Sequence, residues 1–176
     1  KNPQSGEARF LLGDALMKSG DAAAAVLELE KAHDLKFGDD EVLPLLGKAL
    51  MATGQAKKVT DLYSRITLSE PKAAAELKAT VAAAFFAQGL LERSEAATNA
   101  ALQLDAKNVS ARLLQARLTA GRGAIYEAVT LVDGILIDDP QRREALHLKG
   151  ELLWVGKGDP DGAIKAFRDT LAVDPK

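Results

Sequence analysis

Gly123-Ala124-Ile125-Tyr126-Glu127-Ala128-Val129-Thr130-Leu131-Val132-Asp133-Gly134-Ile135-Leu136-Ile137-Asp138-Asp139-Pro140 is one phrase. It opens after a glycine, runs on with small or apolar residues at helical spacing, and stops at Asp-Pro. The phrase recurs at Gly20 to Phe37, Gly54 to Pro71, Gly89 to Ala106 and Gly158 to Pro175. A chain that repeats one helical phrase about every 34 residues is a helical repeat array. Its boundaries fall near 6–39, 40–74, 75–108, 109–142 and 143–176, which predicts one continuous all-α domain.

Small residues set the register. Gly13, Gly47, Ala82, Ala116 and Gly150 recur at intervals of 34, 35, 34 and 34 in the first helix of each pair. Small side chains let two helices approach closely. Three residues later come Leu16, Leu50, Phe85, Thr119 and Leu153. In the second helices, Ala25, Val59, Ser94, Ala128 and Ala163 mark a close-contact position. Ala32, Ile66, Ala101, Ile135 and Thr170 follow seven residues on, along the same face. No pair hides both of its faces alone, so stacking must cover them.

Local signals bound the helices. Ser5 and Glu7 open the first, which runs to about Ser19. Gly20 reads as its C-terminal cap and Asp21 as the N-cap of the next, Ala22 to Leu35. Pro44 is tolerated only in a first turn, so the third helix is expected from Val42 or later, ending near Thr53. Its partner is expected from Gln55 to about Leu68, with Glu70-Pro71 closing the repeat. Ala73 to Gln88 and Leu91 to Leu104 form the third pair. Asn108 is read as the cap of a helix ending around Ala120. Arg142 and Arg143 precede one ending near Val155. Asp159-Pro160 reads as N-cap and first-turn proline, after a Gly156-Lys157-Gly158 loop with one extra residue. Asn2-Pro3 reads as the end of a preceding repeat and Asp174-Pro175-Lys176 as an end without a capping helix; both lead us to expect a fragment of a longer array.

Composition narrows the function. The chain has 176 residues, 47% hydrophobic, 27% charged and 5% aromatic, with a formal charge of −2 and no cysteine. There is no basic stripe to attract nucleic acid and no basic amphipathic stretch to lie on a membrane. No apolar run reaches membrane-spanning length. Disulfides and thiolate metal sites are excluded.

Enzymatic chemistry finds no support, and no metal or cofactor is expected. His33 and His147 lie in different repeats, neither at metal-ligand spacing from a second histidine. His33 reads as a surface residue in a helix's last turn. Asp14 and Glu151 stand four repeats apart, too far to act together as acid and base. Gly156-Lys157-Gly158-Asp159-Pro160-Asp161-Gly162 matches neither phosphate-loop spacing nor a calcium loop.

The period, the small residue in each first helix, the alanine in the second and the terminal proline resemble tetratricopeptide (TPR) repeats over essentially the whole chain. Phe37 and Ala106 depart from the terminal proline, and Ser94 and Thr98 from the usual second helix. Glu7-Ala8-Arg9-Phe10-Leu11-Leu12-Gly13 and Glu41 to Leu50 are further similar to the TPR-repeat lipoproteins of bacterial PEP-CTERM/exosortase systems, the PrsT family. The first resemblance implies a right-handed superhelical solenoid whose first helices line a concave groove. The second implies an envelope location, lipid-anchored on the periplasmic side, and a part in exopolysaccharide production and protein sorting.

With that register, three rows of first-helix residues face the groove. The outer row is Phe10, Pro44, Ala79, Leu113 and His147. The middle row is Asp14, Lys48, Ala83, Arg117 and Glu151. The inner row is Met17, Met51, Phe86, Ala120 and Trp154. Flexible methionines and a broad aromatic suit an adaptable protein or peptide surface. The same stripe equally suits packing against neighbouring helices, and the charged row equally suits a solvated face. The adjacent row, Leu11, Leu45, Thr80, Leu114 and Leu148, has no asparagine or arginine. It therefore lacks the donors for carboxylate capture or backbone clamping. The expectation is a non-enzymatic scaffold that binds protein segments. The alternatives are a self-associating spacer and the regulatory arm of an enzyme whose catalytic domain lies elsewhere.

Overall fold

The computed structural model describes residues 5–173; Asn2-Pro3 and Asp174-Pro175-Lys176 lie outside the described residues. Within them the chain is all helical, with no strand. It divides into two compact units, one up to Asn108 and one from Val109 onward.

The first unit holds α1 (Gly6–Lys18), α2 (Ala22–Asp34), α3 (Asp39–Ala52), α4 (Ala56–Tyr63), α5 (Pro71–Ala87) and α6 (Leu91–Leu104). The second holds α7 (Val109–Gly121), α8 (Ile125–Asp138), α9 (Arg143–Glu151), a π-helical turn (Leu152–Lys157) and α10 (Pro160–Val173).

The turn inside each pair is made one way. Gly20, Gly54, Gly89, Gly123 and Gly158 all have positive φ, between 62° and 87°. Glycine takes this left-handed conformation without a Cβ penalty. The amide after each of the first four reaches back five residues, to the carbonyls of Leu16, Leu50, Phe85 and Thr119, at 2.8–3.2 Å. The residues three past the small position are therefore the ones that close their helices.

Burial follows the sequence register. Ala25, Val59, Ser94, Ala128 and Ala163 are all fully buried. Ala32, Ala101, Ile135 and Thr170 are buried too, but Ile66 is not. Gly13 and Gly150 mark close approaches within their pairs. A Cβ at Gly13 would lie 2.6 Å from Leu29 Cγ of α2, and one at Gly150 would lie 2.5 Å from the Phe167 ring of α10. Gly47 differs: its neighbours are Thr80 and Leu77 of α5, in the next repeat, not the partner α4. Ser94 replaces the usual alanine and stays satisfied, its hydroxyl donating to the Ala82 carbonyl at 2.9 Å.

Four boundaries differ from the sequence reading. α3 begins at Asp39, not Val42, so Pro44 sits beyond the first turn. Pro44 removes one amide donor there, and its ring is buried, so packing offsets a lost hydrogen bond. α4 ends at Tyr63 rather than near Leu68. Leu68 is buried outside the helix, and Asp40 Oδ1 accepts from the Ser69 and Glu70 amides at 2.8 and 3.1 Å. These tethers hold the link out of helical register, and Ile66 is left 37% exposed. Pro71 does not close a repeat but starts α5, where its missing amide costs nothing. Arg143 is the first residue of α9, and the extra residue before Gly158 is taken up as a π turn rather than a loop. Asp159 and Pro160 behave as read: Asp159 Oδ1 accepts from the Gly162 amide at 3.0 Å, and Pro160 opens α10.

Candidate functional site

The first helices of each unit carry the three rows, and each row has its own character. In the first unit the outer row is largely packed. Phe10 is half-buried, its ring 5.2 Å from that of Phe37. Pro44 and Ala79 are buried. Pro44 therefore does not offer a contact surface, which corrects its expected place in the groove. Its ring is drawn inward because Val42, Leu43 and Leu46 around it form core.

The middle row is accessible but internally paired. Asp14 bonds Lys18 of the same helix at 2.6 Å. Lys48 of α3 reaches Glu76 Oε1 of α5 at 2.6 Å. Neither pair is deeply buried, so both are worth little in stability. They instead fix where charges stand along neighbouring first helices.

The inner row is the apolar one. Met17 and Met51 are half-buried against the core of the first unit, and Phe86 stands 36% exposed. Each methionine packs against the core and keeps part of its side chain at the surface.

In the second unit, Leu113 and Ala120 pack against the core, half-buried. Arg117 of α7 and Glu151 of α9 form an ion pair at 3.1 Å between consecutive first helices. His147 is exposed, with its ring 5.7 Å from Phe167, edge on, and Nδ1 3.6 Å from Glu151. Trp154, in the π turn, is 58% exposed. A hollow of about 250 Å³ adjoins this row, lined by Arg117, Arg143, Glu144 and His147. The sequence reading misses Arg143 because it sets that residue ahead of the helix; as the first residue of α9 it joins the same face as His147, one turn on.

His33 lies in the last turn of α2, with Nδ1 3.0 Å from Asp39 Oδ1. Among the described residues, no group of three His, Cys, Asp or Glu side chains could hold a metal ion. No helix among them is long and apolar enough to cross a membrane.

Comparison with known proteins identifies the repeat. Residues 6–38 match the tetratricopeptide repeat model. No curated protein matches the chain. Among solved structures, the chain is similar to TTC0263, a thermophilic TPR protein of Thermus thermophilus. The TM-score is 0.81 at 19% identity, over 98% of this chain and 93% of that one. It is also similar to pilF of Pseudomonas aeruginosa, with a TM-score of 0.69 at 19% identity, over 99% and 78%. A third is YrrB, described as a TPR protein with an unusual peptide-binding site. Its TM-score is 0.57 at 15% identity, over 99% and 89%. At these identities the likeness is one of fold: the helix pairs are those of a TPR solenoid.

Proposed function

We propose that the chain is a non-enzymatic scaffold whose five repeats act as one array and bind segments of other proteins on the open faces of their first helices. The observation that carries this is the inner row. Met17, Met51, Phe86 and Trp154 occupy one repeat position and all keep part of an apolar side chain at the surface. The charged row beside them is already paired within the chain, so apolar contact supplies affinity and the charges supply orientation. YrrB's peptide-binding site supports the reading, since a similar fold serves there for peptide capture.

The finer assignment rests on the resemblance of Glu7 to Gly13 and Glu41 to Leu50 to PrsT-family proteins. We assign the chain to a PEP-CTERM sorting or exopolysaccharide assembly on the periplasmic side of a bacterial envelope. Fluorescence anisotropy with labelled peptides from the C-terminal region of exported PEP-CTERM proteins tests both parts. Met51→Glu and Trp154→Ala should each weaken binding about tenfold. Full binding by both variants removes the first-helix face from the proposal, and no binding by the native chain removes the sorting assignment.

A second reading, self-association, is favoured by α10. Ile164 and Leu171, seven residues apart on one helical face, are 45% and 63% exposed. Light scattering over a concentration series separates the readings: a monomer at the highest concentration excludes self-association.

A further inference from the structure

A second hollow, apart from the three rows, lies at the end of the short α4. α2, α6, α8 and α10 run 13 or 14 residues; α4 runs eight. The end of α4 borders a cavity of about 420 Å³ in the first unit. That volume lies within the range of small binding pockets. Leu43, Leu46 and Tyr63 form a buried floor, and Leu62 and Ile66, 51% and 37% exposed, stand at its side.

The rim is acidic. Glu30, Asp34 and Asp39 surround the floor, with His33 among them. Glu30 is held by Lys58 at 2.7 Å and Asp39 by His33 at 3.0 Å. Asp34 has no cation partner among the described residues. It is also the last residue of α2, where the negative end of the helix dipole adds further negative potential. A carboxylate at that end is locally unfavourable, and an incoming cation relieves it.

We propose that this hollow is a second docking site, which takes a segment of another protein presenting an apolar side chain next to a lysine or arginine. The apolar side chain fills the floor over Leu43 and Leu46, and the cation meets Asp34 at the end of α2. The complementarity is selective: an acidic neighbour in the segment would face the Asp34 carboxylate and a helix C-terminus. Tyr63 stays protonated, because burial and then the Glu30 charge oppose its ionisation, so its hydroxyl can donate to a backbone carbonyl of the segment. The site is independent of the first-helix rows and does not rest on them.

The test is an NMR titration of the ¹⁵N-labelled chain with N-acetyl-Leu-Lys-amide, N-acetyl-Leu-Glu-amide and N-acetyl-Gly-Lys-amide. Saturable shifts at Leu43, Leu46, Leu62, Tyr63 and Ile66 are expected with the first peptide and at least about fivefold weaker binding with the other two. Asp34→Lys and Leu62→Glu, both at surface side chains, should remove the response. Met51→Glu should leave it intact, which separates this site from the first-helix face. Equal binding of the Leu-Glu peptide, or an unchanged response in Asp34→Lys, overturns the proposal, as does the absence of saturable shifts from the native chain.

Discussion

The Asp159 amide donates to the Leu153 carbonyl at 2.9 Å, six residues back. The four equivalent bonds, such as Asp21 to Leu16 and Gln55 to Leu50, span five. The fifth first helix carries one more residue between the same two anchors, and the π turn at Leu152–Lys157 is how it fits.

Removing one exposed residue from that turn should therefore restore the common closure. Val155 is 82% exposed. A chain lacking Val155 should keep its stability to within about 1 kcal/mol in urea denaturation, since no packed group is lost. A loss above about 3 kcal/mol would mean the π turn is itself required.

The glycines at the small register position, Gly13, Gly47 and Gly150, should answer differently to alanine. Each gains about 1 kcal/mol in helix propensity. At Gly47 the added Cβ stands 3.2 Å from Thr80 Cγ2, a small terminal methyl, and Gly47→Ala should be close to neutral. At Gly13 it meets the branch carbon of fully buried Leu29 at 2.6 Å, and Gly13→Ala should cost about 1–3 kcal/mol net. Gly150→Ala, against the Phe167 ring, should resemble Gly13→Ala. Midpoints from chemical denaturation check the order.

Glu28 should lend stability at neutral pH and none in acid. Its carboxylate accepts from Lys31 at 2.7 Å and from Arg9 at 2.6 Å. These hydrogen bonds, Lys31's first and then Arg9's, hold its pKa below the usual range. A carboxyl that ionises more readily folded than unfolded stabilises the fold above its unfolded pKa. The contribution disappears as pH falls through the folded value. Glu28→Gln should lower stability at pH 7 by under about 1 kcal/mol, because Lys31 is half exposed and screened. The difference should vanish below the folded pKa.

Tyr63 should ionise late. Burial first, and the Glu30 charge second, push its pKa up to about 12. The folded chain then holds that proton more tightly than the unfolded one. Stability should be flat below the unfolded tyrosine pKa and fall as pH rises towards 12. Ultraviolet titration should show a late phenolate step that Tyr63→Phe abolishes.

The architecture was legible wherever one residue type had one physical reason to be present. Gly20 has the left-handed backbone that its reading as a helix cap implied, and Gly54, Gly89, Gly123 and Gly158, which open the same phrase, share it. Ala25, Val59, Ser94, Ala128 and Ala163 are the buried contacts that their register implied. What could not be read depended on partners distant in sequence. Nothing local says that Asp40 will capture the amides of Ser69 and Glu70, so Ile66 looked helical and buried. Pro44 obeyed the helical period of its row but not its exposure, because Leu43 and Leu46 draw that turn into the core. The row positions followed from periodicity; their pairing, Lys48 with Glu76 and Arg117 with Glu151, needed the distance between helices.

The five left-handed glycines also share empty surroundings: a Cβ on any of them would find nothing within 4 Å. Alanine at these points would therefore meet torsional resistance alone, about 1–2 kcal/mol, with no packing change to obscure it. One molecule thus offers the same backbone experiment in quintuplicate. Any spread among the five results would report how each neighbourhood yields, not how well it is filled.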